Sequence, residues 1–209
     1  MTNLKKELFG IILSGGKSKR MGYDKSNIMF KEKSIFDLIL SKVSDQVDSF
    51  IINSNNPGIF KEKINKNLEV VSDCVPGYLG PLAGVLTGLK WVSTQKQNYS
   101  WLATFPIDSP FFPDNYIELM LEKSKGHEII MAKCRSRIHP VFSLWRVDLE
   151  QKLHDSLYSG IRKIEDFTKK CNTRLVNFDY IGYDPFFNIN NESDLQIANS
   201  IFSELEINK

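Results

Sequence analysis

One stretch near the N-terminus decides the fold class: Leu8-Phe9-Gly10-Ile11-Ile12-Leu13-Ser14-Gly15-Gly16-Lys17-Ser18-Lys19-Arg20-Met21-Gly22-Tyr23-Asp24-Lys25. Its first part, Leu8–Leu13, is an apolar run bounded by polar residues and a glycine pair, a pattern typical of a buried strand. A loop that holds three glycines and four cations follows at once. Because ligands of open α/β sheets bind beyond the carboxyl ends of strands, this arrangement indicates a ligand-binding α/β protein.

The composition of the loop favours a phosphate ligand. Glycines without a Cβ let backbone N–H groups approach a polyphosphate. Arg20 can grip two phosphate oxygens at once, whereas Lys17, Lys19 and Lys25 act as movable point charges. From composition alone, a solvated basic turn remains the alternative.

Two common phosphate loops fit this stretch poorly. A Walker loop requires G-x-x-x-x-G-K-[ST], and Ile11 stands where its first glycine belongs, since Gly10 lies one residue too early. The dinucleotide fingerprint G-x-G-x-x-G fails because Gly15 and Gly16 are adjacent. A P-loop hydrolase is therefore a secondary hypothesis.

Beyond the loop, apolar runs alternate with helical patterns. Strands are predicted at residues 8–13, 49–52, 68–71, 101–105, 129–132 and 141–145. Helices are predicted after a capping signal at Ser34 and Asp37, and at residues 81–91, 115–121, 160–170 and 193–205. The alternation predicts an α/β fold with helices on both faces of a mostly parallel sheet. The short basic connection between the last two strands predicts an antiparallel excursion there.

The 209 residues contain no linker or repeat, which predicts one domain over residues 1–209. The net charge of +2 argues against a nucleic-acid or anionic-membrane partner. No apolar run is long enough for a membrane span, and the polar N-terminus lacks a signal peptide. Three widely spaced cysteines suit a reducing cytoplasm and are expected to be mostly buried.

Asp108 is the leading metal-ligand candidate. It follows the predicted strand at 101–105 within Phe105-Pro106-Ile107-Asp108-Ser109-Pro110. Flanking prolines leave a carboxylate little entropy to lose, and Mg²⁺ prefers one or two carboxylates together with phosphate oxygens and water. An Asp turn or helix cap is the alternative interpretation.

Taken together, these motifs resemble one family along nearly the whole chain. The loop has the form L-[AS]-G-G-x-S/A-x-R-M-G-x-D-K of the molybdenum cofactor guanylyltransferases. The resemblance continues through Asp73 to Gly84, Phe105 to Pro113, His139-Pro140 and Phe187 to Leu195. It implies a three-layer Rossmann-like nucleotidyltransferase fold.

The resemblance also implies site residues. The matching positions for nucleotide are Leu13, Ser14, Gly15, Gly16, Lys25, Asn53, Asp73, Gly80 and Asp108, with Asp108 also holding Mg²⁺. His139, Asn188 and Asn190 match positions near the acceptor. The resemblance thus implies a nucleotide-binding part at residues 1–110 and an acceptor-binding part at residues 111–209. Asn191-Glu192 departs from the Thr/Asp-Pro pair that relatives often carry.

The activity that the resemblance implies is transfer of GMP from GTP to the terminal phosphate of molybdopterin. The acceptor phosphate is already an anionic nucleophile and needs no general base. Its negative charge must approach the triphosphate, and Lys25, Arg20 and Mg²⁺ on Asp108 would supply the compensating positive charge. Apo-enzymes that accept the cofactor, or their chaperones, are further implied partners. A CTP-dependent or sugar-phosphate nucleotidyltransferase and a non-catalytic nucleotide-binding delivery protein remain alternatives.

Overall fold

A computed structural model describes residues 7–15, 28–30, 33–60, 68–77, 80–180 and 182–207. The strands of these residues are β1 (Leu8–Leu13), β2 (Met29–Phe30), β3 (Lys33–Ser34), β4 (Phe50–Asn53), β5 (Val70–Val71), β6 (Trp101–Pro106), β7 (Ile129–Cys134), β8 (Arg137–Arg146) and β9 (Thr173–Phe178). Their helices are α1 (Ile35–Ser44), α2 (Pro81–Ser93), α3 (Tyr116–Glu122), α4 (Glu150–Tyr158), α5 (Ile164–Thr168) and α6 (Glu192–Ile207).

Seven of these strands form one sheet in the order β5-β4-β1-β6-β8-β7-β9, and β2 pairs with β3 in a separate hairpin. Neighbouring strands are parallel except around β8, which runs antiparallel to both β6 and β7. The predicted α/β class, the mostly parallel sheet and the antiparallel excursion are therefore confirmed.

Strand β1 shows why the sheet needs cover on both faces. All six of its residues are buried. Leu8 and Ile12 belong to a core that contains residues of α1, α3 and α6, whereas Phe9, Ile11 and Leu13 belong to a second core with residues of α2, α4 and α5. Alternate side chains of a strand point to opposite faces, so the apolar run produces three layers.

Gly10 has a packing role inside β1. A Cβ at this position would lie 2.9 Å from both Phe50 Cβ and Val47 Cγ2. Gly10 is thus required by its close contact with the chain that enters β4. It lies within β1 and not in a phosphate-binding loop, where a Walker glycine would lie.

Helix α1 begins where its capping signal predicts. The Ser34 hydroxyl accepts a hydrogen bond from Asp37 N at 3.1 Å, and Asp37 Oδ2 accepts one from Ser34 N at 3.2 Å. This capping box satisfies two backbone donors that the first turn would otherwise leave unpaired.

The predicted helix at 160–170 is wrong in its bounds. Helix α4 ends before Gly160, and only Ile164–Thr168 is helical in that region. Gly160 has a φ of +98°, and Ile161 N donates back to Ser156 O at 3.0 Å. A left-handed glycine with such a bond terminates a helix. Helix α4 and strand β9, which follows α5, were not predicted.

The cysteines also differ from expectation. Cys134 is buried, Cys171 is partly exposed and Cys74 is exposed, and all three are free thiols. The expectation that they are mostly buried is therefore wrong. The cytoplasmic location drawn from their number stays a prediction.

None of the helices in the described ranges combines the length and the apolar character that a membrane-crossing helix requires.

Candidate active site

The carboxyl ends of four adjacent strands bring the sequence motifs together. Ser14 follows β1, Asn53 ends β4, Asp73 follows β5 and Asp108 follows β6. Leu13 lies in register with Asn53 on one side and with Pro106 on the other. Residues that are up to 95 positions apart in the sequence thus share one edge of the sheet.

Backbone hydrogen bonds continue this edge beyond the strands. Ser14 N donates to Asn53 O at 2.9 Å, and Ile107 N donates to Leu13 O at 3.1 Å. The start of the glycine-rich loop and the turn that holds Asp108 are therefore fixed relative to β4 and β1.

The described part of the glycine-rich loop ends at Gly15. Leu13 is buried, Ser14 is half-buried and Gly15 is exposed. Among the described residues, no atom lies within 4 Å of where a Cβ on Gly15 would stand. Gly16, Arg20 and Lys25 lie outside the described residues, and their roles stay predictions.

A polar cluster surrounds Asp73. Asp73 Oδ1 accepts a hydrogen bond from Asn53 Nδ2 at 3.0 Å, and Oδ2 accepts one from Asn55 Nδ2 at 2.7 Å. Asn53 is buried, with 3% of its surface exposed, whereas Asn55 is exposed and Asp73 is half-buried. Sequence reasoning missed Asn55, although its position two residues after Asn53 was an available signal.

Helix α2 packs closely against this cluster. A Cβ on Gly84 would lie 2.5 Å from Asn53 Oδ1 and 2.6 Å from Leu13 Cδ2, so only glycine permits this approach. Gly80 caps the helix with a φ of +76°, and Pro81 occupies the first turn. The helix from Pro81 is confirmed, and its first turns lie against this edge of the sheet, next to Asn53 and Leu13.

Asp108 lies half-buried in the turn after β6 and contacts the C-terminal segment. Its Oδ1 accepts a hydrogen bond from Asn188 Nδ2 at 3.2 Å and lies 3.4 Å from Ser109 Oγ. Its backbone oxygen accepts a bond from Ile189 N at 2.9 Å. The structure therefore joins the motif at Asp108 to the motif at Asn188, 80 residues later in the sequence.

His139 is nearly enclosed, with 4% of its side chain exposed. Its Nε2 lies 3.1 Å from Asp184 Oδ2 without the alignment of a straight hydrogen bond, and its ring packs on Phe186 at 5.0 Å between centroids. Burial raises the pKa of Asp184, but the contact with His139 and the bond from Phe186 N outweigh this effect and the pKa is lowered. Sequence reasoning missed Asp184, which no motif marked.

A cleft of about 120 Å³ opens beside His139. Its walls include Pro106, Arg137, Pro140 and Asn188. The cleft forms because residues 140–142 bulge out of β8, as Met131 pairs with Ser143 while the next residue of β7 pairs with His139. The pairing of β6 with β8 extends from Trp101 to Thr104, so Phe105 and Pro106 lie beyond it.

Two basic side chains, Arg162 and Arg135, have local partners. The Arg162 guanidinium donates to the carbonyl oxygens of Leu157 and Ile161 at 2.5 and 2.8 Å, and Arg135 stacks 3.5 Å above the centre of the Tyr180 ring.

Asn191 is the residue that caps α6. Its Oδ1 accepts a hydrogen bond from Asp194 N at 2.9 Å. Asn190 N donates to Asp194 Oδ2 at 2.8 Å, while the side chain of Asn190 is exposed. The departure from the family pattern at Asn191 thus serves the start of the helix.

Within the described ranges, no three His, Cys, Asp or Glu side chains gather as a metal site. Asp108 and the oxygen-rich cluster at Asp73 lie at different strand ends. Asp108 offers a carboxylate oxygen, the type of ligand that Mg²⁺ prefers.

The fold and the strand-end polar residues define an α/β protein of the nucleotidyltransferase class. Residues 10–173 match the family model described as the MobA-like NTP transferase domain. Molybdenum cofactor guanylyltransferase of Rhizobium rhizogenes strain K84 is 35% identical over 202 residues, which cover 93% of this chain and 92% of that protein. The chain belongs to the molybdenum cofactor guanylyltransferase family, which confirms the resemblance.

Solved structures share the fold. Molybdopterin-guanine dinucleotide biosynthesis protein A of Archaeoglobus fulgidus aligns with a TM-score of 0.72 and 23% identity, covering 94% of this chain and 99% of that one. A 4-diphosphocytidyl-2C-methyl-D-erythritol synthase of Anaerococcus prevotii aligns with a TM-score of 0.74 and 16% identity, covering 95% and 97%. Because proteins with such different names share this architecture, the fold alone does not choose the nucleotide.

Proposed function

We propose that this protein transfers GMP from GTP to the terminal phosphate of molybdopterin. An oxygen of the acceptor phosphate forms a bond to the α-phosphorus of GTP, the bond from that phosphorus to the β-bridging oxygen breaks, and pyrophosphate leaves. The observation that carries the proposal is the 35% identity to a guanylyltransferase over 93% of the chain. The strand-end positions of Asp73 and Asp108 are consistent with it.

On the nucleotide side, the proposal uses the edge formed by β4, β1 and α2. The backbone of residues 13–16 would hold phosphate oxygens, with Arg20 and Lys25 supplying positive charge. Asn53 and Asp73 would contact the guanosine, and Gly80 would let the nucleotide approach the start of α2. Reaction in this class depends on in-line positioning and charge neutralisation, which fixed strand ends favour.

Asp108 fits a Mg²⁺ ion by its chemistry. It offers a hard carboxylate oxygen in a half-buried turn, and the neighbouring Asn188 contributes an amide to the same place. Bound Mg²⁺ would neutralise phosphate charge and lower the repulsion between the two anionic reactants. The role of the protein is to hold the Asp108 turn, which Leu13 O and Ile189 N fix through the backbone.

On the acceptor side, the cleft beside His139 lies next to the Asp108 turn, because Pro106 and Asn188 line it. We assign molybdopterin to this region, with Asn188 and Asn190 as amide contacts. His139 would shape the wall, since its ring is packed against Phe186 and faces Asp184.

The test is product formation with molybdopterin, Mg²⁺ and each of GTP, ATP, CTP and UTP. GTP-dependent dinucleotide formation with matched pyrophosphate release supports the proposal. Preference for CTP would move the protein to a cytidylyltransferase, triphosphate hydrolysis without acceptor would favour a hydrolase, and binding without turnover would favour a delivery protein. Apo-enzyme or chaperone partners and a cytoplasmic location belong to the same proposal.

A further inference from the structure

The Asp73 carboxylate accepts hydrogen bonds from two amides that differ in burial. Asn53 is buried, and its Nδ2 also donates to Val71 O at 3.3 Å. Asn55 is exposed and binds Asp73 twice, because its Nδ2 donates to Oδ2 at 2.7 Å and its Oδ1 accepts from Asp73 N at 2.9 Å. A two-point amide contact fixes direction as well as distance.

The two chain segments that carry these residues are also joined. Ser54 N donates to Val71 O at 2.8 Å, and Ser72 Oγ donates to Ser54 O at 3.3 Å. The backbone therefore keeps Asp73 near Asn53 even without the Asn55 side chain. What the Asn55 side chain adds is the orientation of the carboxylate, whose terminal torsion is otherwise broad.

This orientation has a chemical consequence. A carboxylate has about four acceptor positions on its two oxygens. In the described chain each oxygen of Asp73 accepts one amide N–H, so both oxygens are fixed while part of their capacity is left for a ligand. Two fixed acceptors side by side suit two adjacent donors, such as N1–H and the 2-amino group of guanine or the two hydroxyls of ribose.

We infer that Asn55 is a positioning residue that orients Asp73 toward paired donors of the nucleoside. The inference rests on the proposed function for the nucleotide, but it adds a residue outside the family motifs quoted above. It assigns Asn55 to nucleoside affinity rather than to the transfer step, because the reacting phosphates belong to the Asp108 side of the edge.

Calorimetric titration of the full chain tests the inference on whichever triphosphate the wild type binds most tightly. Asn55→Ala should weaken that binding roughly tenfold, the usual effect of a lost hydrogen bond to a charged group. Turnover at saturating nucleotide should stay within about twofold. Asn55→Asp keeps the acceptor for Asp73 N but loses the donor to Oδ2, so it should weaken binding at least as much.

Two comparisons separate positioning from a general structural effect. Asn56→Ala, at the exposed neighbouring position, should leave affinity unchanged. In an Asp73→Ala background, Asn55→Ala should cost no further affinity, since the side chain acts through that carboxylate. Equal losses in both backgrounds, or wild-type affinity in Asn55→Ala, would overturn the inference.

Analogues identify the donors that Asp73 meets. If these donors lie on the base, Asn55→Ala should lose less affinity for inosine triphosphate, which lacks the 2-amino group. If they lie on the sugar, Asn55→Ala should lose less affinity for 2′-deoxyguanosine triphosphate. An undiminished loss for both would also contradict the inference. If the wild type binds another triphosphate more tightly than GTP, the proposed function is contradicted but the inference on Asn55 is not. The affinities of wild type and Asn55→Ala are then compared for that triphosphate and for its 2′-deoxy form.

Discussion

Replacing Asp108 by alanine separates catalysis from folding. Among the described residues, the carboxylate receives a side-chain hydrogen bond from Asn188 at 3.2 Å and a longer one from Ser109 at 3.4 Å. Losing such contacts at a half-buried site costs about 1 kcal/mol of unfolding free energy. The backbone bond from Ile189 N to Asp108 O does not depend on the side chain and should keep the turn in place.

The expected effect of Asp108→Ala on turnover is much larger. Removing one preorganised charge contact from a transition state costs about 3 to 4 kcal/mol, which is roughly a 10²- to 10³-fold loss in rate. Dinucleotide formation at saturating GTP and ordinary Mg²⁺ measures this loss, and urea unfolding measures the change in stability.

Ser109→Ala is the matched control for Asp108→Ala. It removes a contact to the same carboxylate oxygen but leaves the carboxylate in place, so its rate should fall far less. Near-normal product formation by Asp108→Ala would refute the metal assignment. A large loss of stability with an unchanged rate per folded molecule would make Asp108 a structural residue.

Four further substitutions address the loop, the helix packing and the electrostatics. Lys25→Ala should lower the single-turnover rate far more than GTP affinity, because an interaction made mainly in the transition state raises turnover rather than binding. A large loss of GTP affinity with an unchanged rate at saturating GTP would reject a catalytic role for Lys25. Gly84→Ala and Gly88→Ala should each destabilise the fold by about 1 to 3 kcal/mol through crowding. Only Gly84→Ala should also weaken GTP binding, since its Cβ would displace the amide at the end of β4; equal affinity in the two variants would contradict this. The hydrogen bond from Asn172 N is the largest factor that lowers the pKa of Glu128. The bond to the charged carboxylate therefore stabilises the fold at pH values above the ordinary pKa of a glutamate. The difference in unfolding free energy between wild type and Glu128→Gln should shrink as the pH falls below about 4. Urea titrations in which this difference in unfolding free energy grows toward low pH would contradict the prediction.

Local signals decided the parts of the fold that depend on neighbouring residues. The strand at Leu8–Leu13, the capping box at Ser34 and the helix start at Pro81 are in the structure where their patterns predict them. Strand β9 and helix α4 were not predicted, nor was the turn at Gly160 that ends this helix. The pairing of β9 with β7 and the left-handed turn at Gly160 are tertiary and backbone properties that apolar spacing does not encode.

For the candidate site, the sequence by itself determined the chemical groups and the strand ends that carry them. The family resemblance marked Asn53 and Asp73 and supported Asp108, and each of the three lies at or shortly after the end of a predicted strand, where parallel strands place such residues at one edge. Only the tertiary structure decided which groups touch. Asn55 contacts Asp73 from 18 residues away and Asn188 contacts Asp108 from 80 residues away. Their pairing depends on strand order and on the path of the C-terminal segment, which arise when the apolar faces of the whole chain are buried together.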